Sequence, residues 1–324
     1  MQYRYVGGSG LQVSTLALGS WLTYGGSAVA AGDAVDMVRR AYDLGINYFD
    51  TADVYQGGEA ERLLAKALDG IPRSSVVLAT KAFWPVGRGP NDRGLSRKHL
   101  IEGVEASLKR LNTDYVDMFF CHRFDARVPL EETLRTLDDL VRAGKILYVG
   151  ISEWTAAQIE RAVGLQAVHG WEPIRVSQAR YNMLNRDIER EIIPTCERAG
   201  IGQVVWSPLA EGFLTGKYRE GQAPPSESRA ADKRLGASAR EYMTPANYET
   251  VRRLGNVAEE AGMPLPRMAL AWTLRQPNVA AAIIGASRLS QLDENVAAAD
   301  VVLSADLMEA IEQVLGAQMG DTDG

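Results

Sequence analysis

The feature that most constrains how this chain can fold is a repeated switch in hydrophobic period. Short runs that are apolar almost throughout alternate with longer stretches whose apolar residues recur three and four apart. The short runs are TLALGS (15–20), INYFD (46–50), SVVLATK (75–81), YVDMFFC (115–121), ILYVGIS (146–152), IRVSQA (174–179), IGQVVWS (201–207) and VAAAIIG (279–285). They are rich in Val, Ile and aromatics, as expected of strands covered by helices on one face and packed on the other. In the intervening SRKHLIEGVEASLKRL (96–111), Leu100, Ile101, Val104, Leu108 and Leu111 form one apolar stripe, and Ser96 stands at the N-cap position. LEETLRTLDDLVRAGK (130–145) repeats the pattern and stops at Gly144; Gly45 and Gly200 end helices immediately before apolar runs.

Eight strand-plus-helix units predict a closed (β/α)8 TIM barrel. A doubly wound sheet is the alternative, but it usually carries a Gly-rich phosphate loop after its first strand. LALGSWLTYGGSAVAAGD is not G-x-G-x-x-G. Two segments fall outside the repeat. QYRYVGGSGLQV (2–13) reads as a β-hairpin able to plug one barrel end. Residues 208–246, rich in Gly, Pro and charge, read as a long loop after strand seven, of the kind that often serves as a lid. With no Pro/Ser-rich linker between halves, one domain is expected over residues 1–324.

Charge removes some functions. Lys plus Arg number 35 against 41 Asp plus Glu, so the net charge of −6 gives no attraction to nucleic acid or anionic lipid. No apolar run approaches the roughly 20 residues of a membrane span, so no membrane insertion is expected. Two distant cysteines, Cys121 and Cys196, exclude a disulfide framework, and the N-terminus lacks an apolar signal core. A cytoplasmic protein is the expectation.

In a (β/α)8 barrel the strand C-terminal ends surround one pocket. Asp50 ends the second run with Tyr55 in the loop behind it, Lys81 ends the third, His122 follows the fourth, and Ser152 closes the fifth. Gln178 lies near the end of the sixth, and Trp206 and Ser207 end the seventh. One at a time these residues have ordinary readings: a helix cap, a packing tyrosine, an exposed lysine, or a core histidine such as His99 and His169 on their helices. Together they suit proton transfer. A phenol has a pKa near 10, an adjacent ammonium favours the phenolate, a carboxylate can hold the ammonium, and an imidazole can orient a carbonyl oxygen. No metal cluster is evident in the sequence.

FDTADVY (49–55), ATK (79–81) and CHR (121–123) resemble the Asp-Tyr-Lys-His tetrad of the aldo-keto reductases, and the resemblance covers essentially the whole chain. GSWLTYGG (19–26), TKAFW (80–84) and WSPLAEGFLTGKY (206–218) resemble the branch that holds the potassium-channel β subunits and related bacterial reductases. The resemblance implies Asp50, Tyr55, Lys81 and His122 as catalytic residues and an NADP(H) site without a Rossmann fold. Trp21 and Asp50 would face the cofactor; Trp206 would stack on the nicotinamide, with Ser152 and Gln178 on its carboxamide. Ser207, Pro208, Leu209 and Ala210, helped by Lys217 and Arg229, would follow the pyrophosphate. Gly285, Ser287, Arg288, Gln291, Glu294 and Asn295 would hold the adenosine end, with Ser287 and Arg288 opening the last helix toward a 2′-phosphate.

Aromatic residues Trp21, Tyr24, Tyr55 and Trp84, with His122, would wall a pocket for small aldehydes or ketones. The implied reaction is reversible carbonyl reduction, with NADPH as hydride donor and Tyr55 as acid. Two departures stand out. Channel β subunits typically carry asparagine where this chain has His122, which favours an enzyme. Glu153 replaces their arginine, and a carboxylate there is expected to point away from cofactor phosphate. A cofactor-binding accessory subunit of a potassium channel is the other reading; a barrel hydrolase or lyase would need paired carboxylates or metal ligands, which do not stand out. Relatives in this branch form tetramers or octamers, so a homo-oligomer stays open as an outcome.

Overall fold

A computed structural model describes residues 1–21, 31–226, 228–232 and 236–319. The first strands, β1 (Tyr3–Tyr5) and β2 (Gln12–Ser14), form an antiparallel hairpin. The next eight are β3 (Leu16–Gly19), β4 (Tyr48–Asp50), β5 (Val77–Ala82), β6 (Val116–Cys121), β7 (Ile146–Ser152), β8 (Ile174–Arg180), β9 (Gly202–Trp206) and β10 (Val279–Ile284). Each pairs in parallel with its sequence neighbour, and β10 closes on β3, giving the closed barrel that the alternating pattern predicts. Every strand lies within one residue of its apolar run or inside it.

The helices cover the outside: α1 (Ala31–Asp43), α2 (Glu59–Leu68), α3 (Arg97–Leu111), α4 (Leu130–Arg142), α5 (Ala156–His169) and α6 (Ile192–Ala199). After β9 come α7 (Ala237–Glu241), α8 (Pro245–Glu260) and α9 (Leu265–Leu274); α10 (Leu289–Val296) and α11 (Ala305–Met319) follow β10. Ser96 caps α3 by accepting the His99 N–H, as its position predicts. The α3 stripe is narrower than expected, however. Leu100, Val104, Leu108 and Leu111 are buried, but Ile101 is 41% exposed, because one residue rotates about 100° around a helix. His99 is buried and His169 is not: it is exposed and stacks on Trp171.

Two apolar layers result. One joins the helices to the barrel's outer face. The other fills the barrel, with Tyr48, Met118, Phe120, Val176 and Val204 packed beside Val6 and Val13 of the hairpin. Each fully buried large apolar side chain contributes about 1.5–3 kcal/mol. Gly150 makes room for this filling, since a Cβ there would meet the Phe120 ring at 2.5 Å. The hairpin plugs the end where the strands begin. Arg4 donates to the carbonyls of Leu274 and Val279, and Gly7, at φ +52, lies so close to Gly202 that a Cβ would meet its nitrogen at 2.4 Å. The opposite end, where the strands finish, is left to the loops.

Candidate active site

Six non-glycine residues among those described have left-handed backbone: Gln56, Asn112, Glu153, Ser207, Ala210 and Glu211. Asn112 caps a helix; the other five sit in loops leaving β4, β7 and β9 at their C-terminal ends. Such strain costs roughly 1–3 kcal/mol per residue and gathers where geometry is needed for chemistry. The strained loops ring one mouth.

Four side chains meet in that mouth. Lys81, fully buried on β5, donates to Asp50 Oδ2 at 2.5 Å, to the Thr51 carbonyl at 2.8 Å and to the Tyr55 hydroxyl at 3.4 Å. Parallel pairing of β4 with β5 sets Asp50 opposite Ala79, two residues before Lys81, so the long lysine stem reaches back along the barrel to the carboxylate. Tyr55 and His122 stand edge to face with centroids 5.8 Å apart, and His122 contacts Trp84 in the same way at 6.3 Å.

Burial and neighbouring charge set the protonation states. Burial raises the Tyr55 phenol above its ordinary value; the Lys81 charge and hydrogen bond pull it down, and Asp50 pushes it up again. The lysine therefore acts in the direction expected from the sequence, but burial outweighs it, and the resting phenol holds its proton. Burial works against the Lys81 ammonium, yet Asp50, followed by Tyr55, more than offsets it and raises that pKa. Burial first, then the Lys81 and Arg123 charges, lower His122 well below the usual imidazole range, so the ring is neutral at pH 7. A protonated phenol, a charged ammonium and a neutral imidazole form an arrangement that can deliver a proton to a developing oxyanion.

The other residues singled out from the sequence are distributed as follows. Gln178 turns its amide to Asp50 Oδ1 at 2.9 Å, and Ser152, at the end of β7, lies 3.5 Å from an Arg123 nitrogen. Trp206 ends β9 with its indole N–H donating to Glu153 Oε1 at 2.7 Å. Beyond it Ser207, Pro208, Leu209 and Ala210 make a tight strap, in which the Ser207 hydroxyl bonds Glu211 at 2.8 Å. Arg229 is held by the buried Glu211 carboxylate and stands 5.7 Å from the Trp21 ring. Lys217 is depressed by partial burial and then by the Arg229 and Arg288 charges, so cations from the two loops after β9 and β10 act on one another. Gly285, Ser287 and Arg288 are exposed after β10; Gln291 accepts from the Ser287 N–H at 2.9 Å, Asn295 is buried and Glu294 is exposed. Arg288 caps α10, and α11 follows, so the helix it opens is not the last. Trp84 is 37% and Trp21 38% exposed at the mouth, and Tyr24 lies outside the described residues.

Glu153 is a participant that sequence reasoning left without a task. Its left-handed backbone turns the carboxylate onto two partners at once, the Trp206 indole and the Arg180 N–H at 2.8 Å. It ties the ends of β8 and β9 together. Glu211 was missed in the same way. Neither has a local signal. For Glu153 the reason is that its partners, Trp206 and Arg180, lie on other strands; for Glu211 it is that Arg229 lies 18 residues farther along the same connection. Among the described residues, no group of three or more His, Cys, Asp or Glu is placed to hold a metal ion, and no helix is long and apolar enough to cross a membrane.

Comparison with known proteins bears on the whole chain. The Aldo/keto reductase family profile matches residues 15–315. A protein of Arabidopsis thaliana named "Probable voltage-gated potassium channel subunit beta" is 43% identical over 320 residues, covering 97% of both chains. A protein of the same name from Oryza sativa is 41% identical over 320 residues, again 97% of both. The "L-glyceraldehyde 3-phosphate reductase" of Escherichia coli O157:H7 is 36% identical over 322 residues, 97% of this chain and 92% of that one. Similar from end to end to oxidoreductase and channel-subunit relatives alike, this chain belongs to the aldo/keto reductase family.

Proposed function

We propose that the protein is a cytoplasmic NADP(H)-dependent reductase of small aldehydes or ketones, with Asp50, Tyr55, Lys81 and His122 as its catalytic residues. The observation that carries this reading is the buried Lys81 ammonium, which joins the Asp50 carboxylate to the Tyr55 hydroxyl at the barrel mouth. The reductase name of the Escherichia coli relative supports a small aldehyde as the substrate class. The buried free thiols Cys121 and Cys196 fit a reducing compartment.

The residues present fit the cofactor. The clustered cations Lys217, Arg229 and Arg288 suit its phosphates, including a 2′-phosphate, and Trp206, Ser152 and Gln178 stand where the strand ends would receive a nicotinamide. NADPH, when bound, supplies the hydride that attacks the carbonyl carbon. His122, neutral, hydrogen-bonds the carbonyl oxygen and orients it. As negative charge grows on that oxygen, the Tyr55 O–H bond breaks and its proton passes to the oxygen. The Lys81 ammonium stabilises the phenolate left behind, and Asp50 holds the ammonium in place. Oxidation of the alcohol runs the same steps backward.

Tyr55→Phe is the direct test. NADPH consumption with methylglyoxal or 4-nitrobenzaldehyde should fall by about 10²–10⁴-fold while NADPH still binds. Turnover near the parent level would remove Tyr55 from its role. A second expected result concerns Glu153. Glu153→Ala frees the Trp206 indole and should weaken NADPH binding about tenfold, whereas Glu153→Gln, which keeps an acceptor oxygen, should bind near the parent affinity. Titration calorimetry would separate the two, and equal affinities for parent and Ala variant would refute the link.

The full-length identity with two proteins named as potassium channel β subunits favours a second reading, an accessory subunit whose turnover is incidental. Tight NADPH binding without turnover on any carbonyl would select it.

A further inference from the structure

Arg123 is a charged residue at the mouth for which the proton-transfer set provides no task. It follows His122 directly at the end of β6 and is half-buried. One of its terminal nitrogens donates to the His122 carbonyl at 2.6 Å and reaches the Ser152 hydroxyl at 3.5 Å. The guanidinium carbon stands 5.7 Å from the Trp84 ring centroid, and Trp84 in turn contacts the edge of His122. Its charge is felt at both Tyr55 and His122.

What it lacks is a counter-charge. Arg127 pairs with Asp125, Arg180 with Glu241 and Arg229 with Glu211, but among the described residues no carboxylate pairs with Arg123. A half-buried guanidinium with no carboxylate beside it presents a positive charge that an anion can offset. Geometry adds to this. The planar group has five N–H donors, the hydrogen bonds described use a single nitrogen, and a carboxylate or phosphate matches the rest in parallel pairs. The cations Lys217, Arg229 and Arg288 belong to loops after β9 and β10; Arg123 belongs with Tyr55, His122 and Trp84.

We propose that Arg123 is the anion-binding residue of the substrate pocket, and that the preferred substrates are small aldehydes carrying a carboxylate or phosphate group. This rests on the reductase reading above and names its substrate class. The aldehyde carbon lies toward Tyr55 and His122, Trp84 covers the apolar part, and the anionic end meets the guanidinium.

Two substrate pairs test it in the full-length protein: 4-carboxybenzaldehyde against its methyl ester, and glycolaldehyde phosphate against glycolaldehyde. The readout is the ratio of kcat/KM, anionic over neutral, in the parent, Arg123→Met and Arg123→Lys. The Met variant should lower at least one ratio about tenfold or more, and Lys should restore part of it, because a charge without the planar fork keeps attraction and loses bidentate geometry. The pair that falls further identifies carboxylate or phosphate as the group recognised. If both ratios stay unchanged, the inference fails while the reductase reading stands. If the Met variant raises KM for NADPH with both ratios unmoved, Arg123 serves the cofactor and the inference also fails. A parent that binds NADPH and turns over none of the four aldehydes overturns the reductase reading and this inference with it.

Discussion

Lys81→Met should destabilise the protein by about 3–5 kcal/mol, and adding Asp50→Leu in the same chain should return most of that loss. The single variant leaves the Asp50 carboxylate, 3% exposed, with only the Gln178 amide at 2.9 Å and the Tyr48 hydroxyl at 3.4 Å. Neither carries a charge, so the desolvation of the carboxylate is no longer offset. The double variant removes both charges and replaces them with apolar side chains in a site already lined by the barrel interior. Urea unfolding measures both. A single variant within about 1 kcal/mol of the parent would mean that the pair is not buried as ions. Both variants should be inactive with every carbonyl. A folded, stable and inactive double variant would show that the ion pair is kept for chemistry at some expense in stability, which packing arguments alone do not explain.

The second large effect comes from Asp53, which the reaction does not use. It is 3% exposed, and apart from the adjacent Val54 N–H its carboxyl oxygens have no hydrogen-bond partner among the described residues. Burial first, then the Glu61 charge, raise its pKa to about 7, against the opposing pull of Arg110, the Val54 N–H and Lys81. Glu61 itself is committed to Arg110 and to the Thr80 hydroxyl, so it repels Asp53 without accepting from it. The folded pKa lies above the unfolded one. Asp53 therefore contributes full stability below the unfolded value of 3.8, and that contribution is lost as pH rises toward about 7. Asp53→Asn mimics the protonated acid and should be more stable than the parent at pH 8 by on the order of 4 kcal/mol, with the difference vanishing below about pH 4. Thermal unfolding of both proteins across that range would show it. A difference independent of pH would mean that Asp53 titrates normally.

The sequence was most legible where local rules act alone. Period distinguished strands from helices, and right-handed strand–helix alternation left few ways to arrange eight such units, so the barrel followed from pattern. Ser96 and Gly144 were readable because a cap is a contact within one turn. Ile101 was misread because a stripe of apolar residues does not say how wide a face the neighbouring helices cover. His169 was misread because stacking on Trp171 at the surface leaves no mark on helical period.

At the site, the sequence by itself determined which residue types stand at strand ends, and hence that Asp50, Lys81 and His122 share a mouth with Tyr55. Only the tertiary structure decided their state. Whether Lys81 lowers the Tyr55 pKa depends on how far burial opposes it, and burial is a sum over the whole barrel. The partners of Glu153, Glu211 and Arg123 were equally out of reach. Trp206 and Trp84 lie on other strands or loops than Glu153 and Arg123, and Arg229 lies 18 residues beyond Glu211; side chains this far apart in sequence meet only when the chain folds and the barrel sets the register of its strands. Coulomb and desolvation energies depend on those distances through space, and a linear chain does not contain them.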